Sequence, residues 1–113
     1  DTPILDLAGR CPDLATAAAV IHAAHLLITN DTGPRHIGAA FNTPRIVLFG
    51  PTDPRWTTPP DAHRPTERTL VAEPFLPADH IADDYPKACR IDRIPPADVI
   101  AAADELLATV AQA

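Results

Sequence analysis

The apolar positions of this chain come in short bursts separated by turn residues, and each burst has a readable period. Pro3-Ile4-Leu5-Asp6-Leu7-Ala8, closed by Gly9, predicts a short strand over residues 3–8. Pro12 suits the first position of a helix, where its missing N–H would have had no partner. Leu14, Ala17, Ala18 and Ile21 then recur at i, i+3, i+4 and i+7, one apolar helix face ending near His25. Leu26-Leu27-Ile28-Thr29 predicts a second strand, and Asn30 to Pro34 a turn into a helix over residues 34–41. After Arg45, the run Ile46-Val47-Leu48-Phe49 is apolar without alternation, as expected of a strand covered on both faces of a parallel sheet. Gly50 ends it.

The second half reads differently. Residues 50–67 hold five prolines, which remove backbone donors and fix φ, so this stretch predicts no regular element. Arg68 to Ala72 predicts a further strand, residues 74–94 are irregular, and Pro96 opens a final helix. Its expected buried face is Val99, Ile100, Ala103, Leu106, Leu107 and Val110. Strand, helix, strand, helix, strand predicts a βαβαβ unit and a three-layer α/β sandwich. Right-handed crossovers between parallel strands would put the loops after residues 29 and 49 on one edge of the sheet.

Composition narrows the class. At 113 residues, 46% of them apolar, the chain suits one small globular domain rather than a disordered segment. No apolar run approaches the roughly 18 residues of a spanning helix. Fourteen prolines against four glycines exclude a coiled coil, and ten of those prolines lie between Pro51 and Pro96. The chain begins at Asp1 and holds no Met, which predicts a processed chain or a piece of a longer one. The net charge of −6 speaks against nucleic acid as a partner. Yet residues 31–68 carry five Arg against four acids, whereas the remainder carries four basic residues against eleven acids. An anion site is therefore expected in the middle. Cys11 and Cys89 have no metal-type spacing and read as unpaired thiols of a cytoplasmic protein.

Two loops carry candidate chemistry. Asn30-Asp31-Thr32-Gly33-Pro34-Arg35-His36 joins a strand's carboxyl end to a helix start, where free N–H groups and the positive helix end attract phosphate. Gly33 would allow close approach of a ligand and makes φ > 0 available. Thr32 can cap the helix or donate to a phosphoryl oxygen, and His36 lies within reach of the same anion. Asp31 would repel a phosphate but could cap the helix or accept from sugar hydroxyls. Anion binding and plain helix capping both stay open on these residues alone. The second loop, Gly50-Pro51-Thr52-Asp53-Pro54-Arg55-Trp56, offers Thr52 and Asp53 as polar groups, Arg55 as an anion partner and Trp56 for stacking or for the core. His22 and His25 lack further ligands and read as structural or surface residues. The chain has no serine, no dinucleotide fingerprint and no P-loop.

Taken as a string, LLITNDTGPRHIGAAFNTPRIVLFGPTDPRWT, residues 26–57, resembles the central stretch of family-9 glycosyltransferases, the lipopolysaccharide heptosyltransferases. Asp31, Thr32, Gly33, His36, Thr43-Pro44 and Gly50 to Pro54 match that pattern. Leu7-Ala8-Gly9, Cys89 and Ile94 to Val99 resemble its flanking elements. The resemblance implies an α/β, Rossmann-like parallel-sheet sandwich, the carboxyl-terminal, nucleotide-sugar-binding portion of a two-domain GT-B enzyme. It implies transfer of a heptose or related sugar from a nucleotide-diphosphate donor, ADP-heptose by expectation, to a lipopolysaccharide-core acceptor. Thr32 and Gly33 would contact the diphosphate, His36 would support that region, and Asp31 would hold sugar hydroxyls or the loop. Pro34 presets the helix at the same site, and Gly50, Thr52, Asp53 and Arg55 form a candidate donor loop. No metal and no cofactor are expected, because helix-end N–H groups and cationic side chains would offset the leaving diphosphate's charge. The partners implied are the donor and a saccharide or lipid-linked acceptor, with the full enzyme near a membrane surface.

The likeness has departures. The acceptor domain with its general base, and the donor domain's phosphate-binding Lys and ribose-binding acid, are not among these residues, so the isolated chain is expected to be inactive. Cys11-Pro12-Asp13 replaces a Thr/Ser-rich helix start. Asn42 and Arg45 replace small or apolar residues, through drift or for a different donor. Arg64 and Arg68 are expected to face the donor or the interdomain cleft. The alternative reading is a non-catalytic nucleotide- or phosphate-binding module or remnant.

Overall fold

The computed structural model describes residues 2–10, 13–30, 33–50, 66–72 and 91–112. In chain order they form helix α1 (Leu14–Ala23), strand β1 (Leu27–Asn30), helix α2 (Gly33–Phe41), strands β2 (Arg45–Phe49) and β3 (Glu67–Val71), a 3₁₀ turn (Ile91–Arg93) and helix α3 (Pro96–Ala111). The strands make one parallel sheet in the order β1-β2-β3. Leu27, Arg45 and Glu67 are in register at its amino edge, and Asn30 pairs with Leu48 toward its carboxyl edge.

The faces follow from that register. Leu27, Arg45, Val47, Phe49 and Glu67 point toward α2, which packs in turn on α1. Ile46 and Arg68 point to the opposite face, where Arg68 meets Glu105 of α3 (Nε to Oε1, 3.6 Å). The three-layer arrangement is the expected one. Ile46 and Val47 are wholly buried, in keeping with an unbroken apolar strand covered on both sides. Leu106 of α3 is also wholly buried and makes its layer's deepest contact.

Four expectations need correction. Residues 3–8 are not a strand. Asp6 Oδ1 accepts from the Ala8 N–H at 2.9 Å, and the Arg10 N–H donates to the Leu7 carbonyl at 2.9 Å, so the chain turns here with Gly9 at φ 77°. Backbone donors that a ladder would need are thus spent locally, and Ile4 stays 93% exposed. Second, the cap of α1 is Asp13, whose Oδ1 accepts from the Thr16 N–H at 2.8 Å; the helix begins after it at Leu14, not at Pro12. Leu14 is exposed despite its place in the apolar repeat, whereas Ile21 is buried. Third, Ile100 and Leu107 of α3 are exposed, because the helix presents only the Leu106 side to the sheet. Fourth, β3 starts at Glu67, a residue expected in the loop.

Local chemistry explains the tight α1–β1–α2–β2 packing. Asn42 follows α2 in the left-handed region at φ 56°, a conformation Asn tolerates at a helix end, and its Oδ1 accepts from the Thr66 hydroxyl at 2.8 Å. Thr43 donates its hydroxyl to the Ile21 carbonyl at the end of α1 (3.1 Å) and its N–H to Gly38 (2.9 Å). The Pro44 carbonyl accepts from Leu27 at 2.8 Å. His22 stacks on Phe41, centroids 4.5 Å apart, which closes α1 against α2 and bears out its structural reading. At Gly38 a Cβ would lie 2.9 Å from Leu27 Cδ2 and 3.4 Å from Arg45 Cδ, so glycine sets how closely α2 approaches the sheet.

Candidate functional site

The carboxyl edge of the parallel sheet assembles the candidate site. β1 ends at Asn30, α2 begins at Gly33, and β2 ends at Phe49 with Gly50 buried just behind it. The Phe49 carbonyl accepts from the Ala72 N–H at 2.9 Å, which ties the end of β3 to the same edge. Both loops singled out in the sequence therefore leave neighbouring strands on one side, as the crossover rule requires. Asp31 and Thr32 of the first loop, and Thr52, Asp53, Arg55 and Trp56 of the second, lie outside the described residues. So do Arg64, Cys11 and Cys89.

The described part of the first loop is the opening turn of α2. Gly33, Pro34 and His36 are all exposed there, at a helix end whose first N–H groups have no intrahelical acceptor. Gly33 is helical and does not use the left-handed region that glycine permits. A Cβ added to it would meet none of the described residues within 4 Å, so their packing makes no demand for glycine at this position.

Arg35, the one buried member of that turn, was not singled out from the sequence. Its side chain is wholly buried and donates twice to Glu67, Nε to Oε1 at 3.1 Å and Nη2 to Oε2 at 3.0 Å. Arg45 Nε donates to the same Oε1 at 2.8 Å, and its Nη1 to the Thr43 carbonyl at 3.1 Å. Burial raises the Glu67 pKa, but hydrogen bonds and charge from the two guanidiniums outweigh it and hold the carboxyl below its ordinary value. Arg35 also lies over the Phe49 ring, 5.2 Å from its centroid. The sequence holds only a partial signal: two arginines at α/β core positions require a buried acid, but Glu67 and Glu73 both flank the last strand and pattern alone does not choose between them.

This arrangement corrects two roles. Arg45 and Asn42 answer to internal packing rather than to a ligand. Arg68 stands at the amino edge of the sheet, donates to the Glu67 carbonyl at 3.1 Å and faces α3, so it does not face the donor edge. Among the described residues no three His, Cys, Asp or Glu side chains cluster to hold a metal. No helix among them is long and apolar enough to cross a membrane.

Comparison with known proteins gives a consistent result. Residues 1–85 match the model of glycosyltransferase family 9 (heptosyltransferase). The chain is 39% identical over 114 aligned residues to lipopolysaccharide heptosyltransferase 3 of Escherichia coli, covering 93% of this chain and 30% of that protein. It is 41% identical over 59 residues to lipopolysaccharide heptosyltransferase 2 of Escherichia coli K12 (52% of this chain, 16% of the relative). With lipooligosaccharide heptosyltransferase 2 of Haemophilus influenzae it shares 44% identity over 55 residues (49% and 16%). The chain thus spans less than a third of the length of these relatives, and no solved structure matches it. The family match over residues 1–85, with 39% identity across 93% of the chain to a heptosyltransferase and a parallel α/β sheet, makes this chain a member of glycosyltransferase family 9.

Proposed function

We propose that the chain is the donor-binding, carboxyl-terminal part of a GT-B heptosyltransferase acting in lipopolysaccharide core synthesis. The observation that carries this reading is the opening turn of α2 at the sheet's carboxyl edge. There Gly33 and His36 are exposed at the amino end of a helix, whose first N–H groups have no acceptor within the helix itself. A nucleotide-diphosphate sugar, ADP-heptose in this reading, lays its diphosphate against Thr32, Gly33 and His36. Asp31 holds sugar hydroxyls or the loop, and the Gly50, Thr52, Asp53 and Arg55 loop borders the donor from the next strand.

Charge stabilisation is the chemistry such an edge can supply. As the glycosidic bond to the donor breaks, negative charge gathers on the leaving diphosphate, and preorganised N–H donors lower the cost of that charge. The acceptor, a core saccharide or lipid-linked saccharide, and the base that removes its hydroxyl proton belong to the rest of the protein in this reading. The sugar is transferred with inversion. The chemistry needs no cofactor, and the protein works in the cytoplasm beside the membrane.

The test is kinetic. In the complete transferase carrying this chain, Thr32→Ala and His36→Ala lower turnover or donor affinity by about a hundred-fold. Unchanged kinetics in both variants contradict the assignment.

A further inference from the structure

Arg35 occupies a position that a salt bridge alone does not explain. Its backbone belongs to the first turn of α2, between Pro34 and the exposed His36. Its side chain leaves that turn for the interior, crosses the Phe49 ring and ends on Glu67 at the opposite, amino edge of the sheet. Phe49 is the last residue of β2, the root of the second loop. One side chain therefore touches the roots of both loops and is held at its far end by a two-point fork, the geometry in which a guanidinium has least freedom. Arg45 shares the same carboxylate but begins β2 at the other edge and reaches Thr43 instead.

We infer that Arg35 is a positioning residue, which fixes the opening turn of α2 relative to the end of β2. The inference rests on the donor-site reading for its functional meaning, while its structural content can be read without any ligand. A purely structural role makes a different prediction. Both arginines remove one of two positive charges from the same buried carboxylate when replaced, and each replacement leaves Glu67 paired with the other arginine. If the triad only balances charge, Arg35→Met and Arg45→Met have the same consequences.

The experiment compares these two variants in the 113-residue chain. Backbone 15N order parameters at positions 35–37 fall from the rigid value near about 0.85 to below about 0.7 in Arg35→Met and stay unchanged in Arg45→Met. Titration with ADP then shows affinity reduced about ten-fold in Arg35→Met and held within about two-fold in Arg45→Met. If Arg35→Met does not fold, Arg35→Lys and Arg45→Lys, which keep the charge and give up the fork, take their places with the same expected split. Equal order parameters in the two variants overturn the inference whatever the titration shows. Absence of ADP binding by the unsubstituted chain counts against the donor-site reading alone, and the order parameters still decide the role of Arg35.

Discussion

Arg45 and Glu67 begin adjacent parallel strands in direct register, and Arg45 Nε reaches Glu67 Oε1 at 2.8 Å with both side chains buried. Arg35 completes the group from α2, so one carboxylate serves two guanidiniums. Taking Glu67 away strands two buried cations. Glu67→Leu is therefore expected to cost about 3–5 kcal/mol, the range for breaking a buried ion pair from one side. Urea unfolding of the two proteins at neutral pH measures it.

The same carboxylate sets the acid limit. Its folded-state pKa lies below the ordinary glutamate value of 4.5, so the folded form binds the proton less readily than the unfolded chain does. The stabilisation is complete above 4.5 and is lost as pH falls through the lower folded-state value. Unfolding free energy measured from pH 6 downward falls in that window for the native protein. Glu67→Gln starts lower and shows a shallower slope there.

Gly38 governs the approach of α2 to the sheet. An alanine there gains about 1 kcal/mol in helix propensity. Its Cβ would meet the movable end of Leu27 at 2.9 Å, so the two effects nearly cancel and Gly38→Ala changes stability by less than about 1 kcal/mol. Gly38→Val adds branches that reach Arg45 as well and is expected to cost about 2 kcal/mol or more. Thermal melts of the pair give the contrast, and equal melting points would show that α2 is not held by this contact.

Gly33 separates folding from binding. Since a Cβ there meets none of the described residues and the backbone is ordinary helix, Gly33→Ala is expected to leave stability unchanged or slightly raised. Under the donor-site reading the same methyl sits where the diphosphate approaches, and donor affinity falls about ten-fold or more. A melt and a nucleotide titration on one sample supply both readouts.

The fold was legible where one local signal dominated. Ile46 to Phe49 could only be a strand covered on both sides, and Pro96 opened the last helix as expected. Residues 3–8 misled because their apolar pattern matches a strand while Asp6 takes up a backbone donor through its side chain, a choice that pattern alone does not reveal. Leu14, Ile100 and Leu107 obeyed helical periodicity and stayed exposed, because periodicity identifies a face and not what covers it. That β1 and β2 end on one edge of the sheet, beside the start of α2, was readable from crossover topology. Arg35 was not, since its importance depends on Glu67, a residue 32 positions away whose strand began one residue earlier than its pattern suggested.

In the donor-site reading, the carboxyl edge of this sheet binds a nucleotide-diphosphate sugar through the opening turn of α2. Calorimetric titration of ADP-heptose into the 113-residue chain, its Thr32→Ala form and its His36→Ala form tests it most directly. Saturable one-to-one binding by the native chain is expected, with binding at least about ten-fold weaker in each variant. No binding by a well-folded native chain, or equal binding by all three, would contradict it.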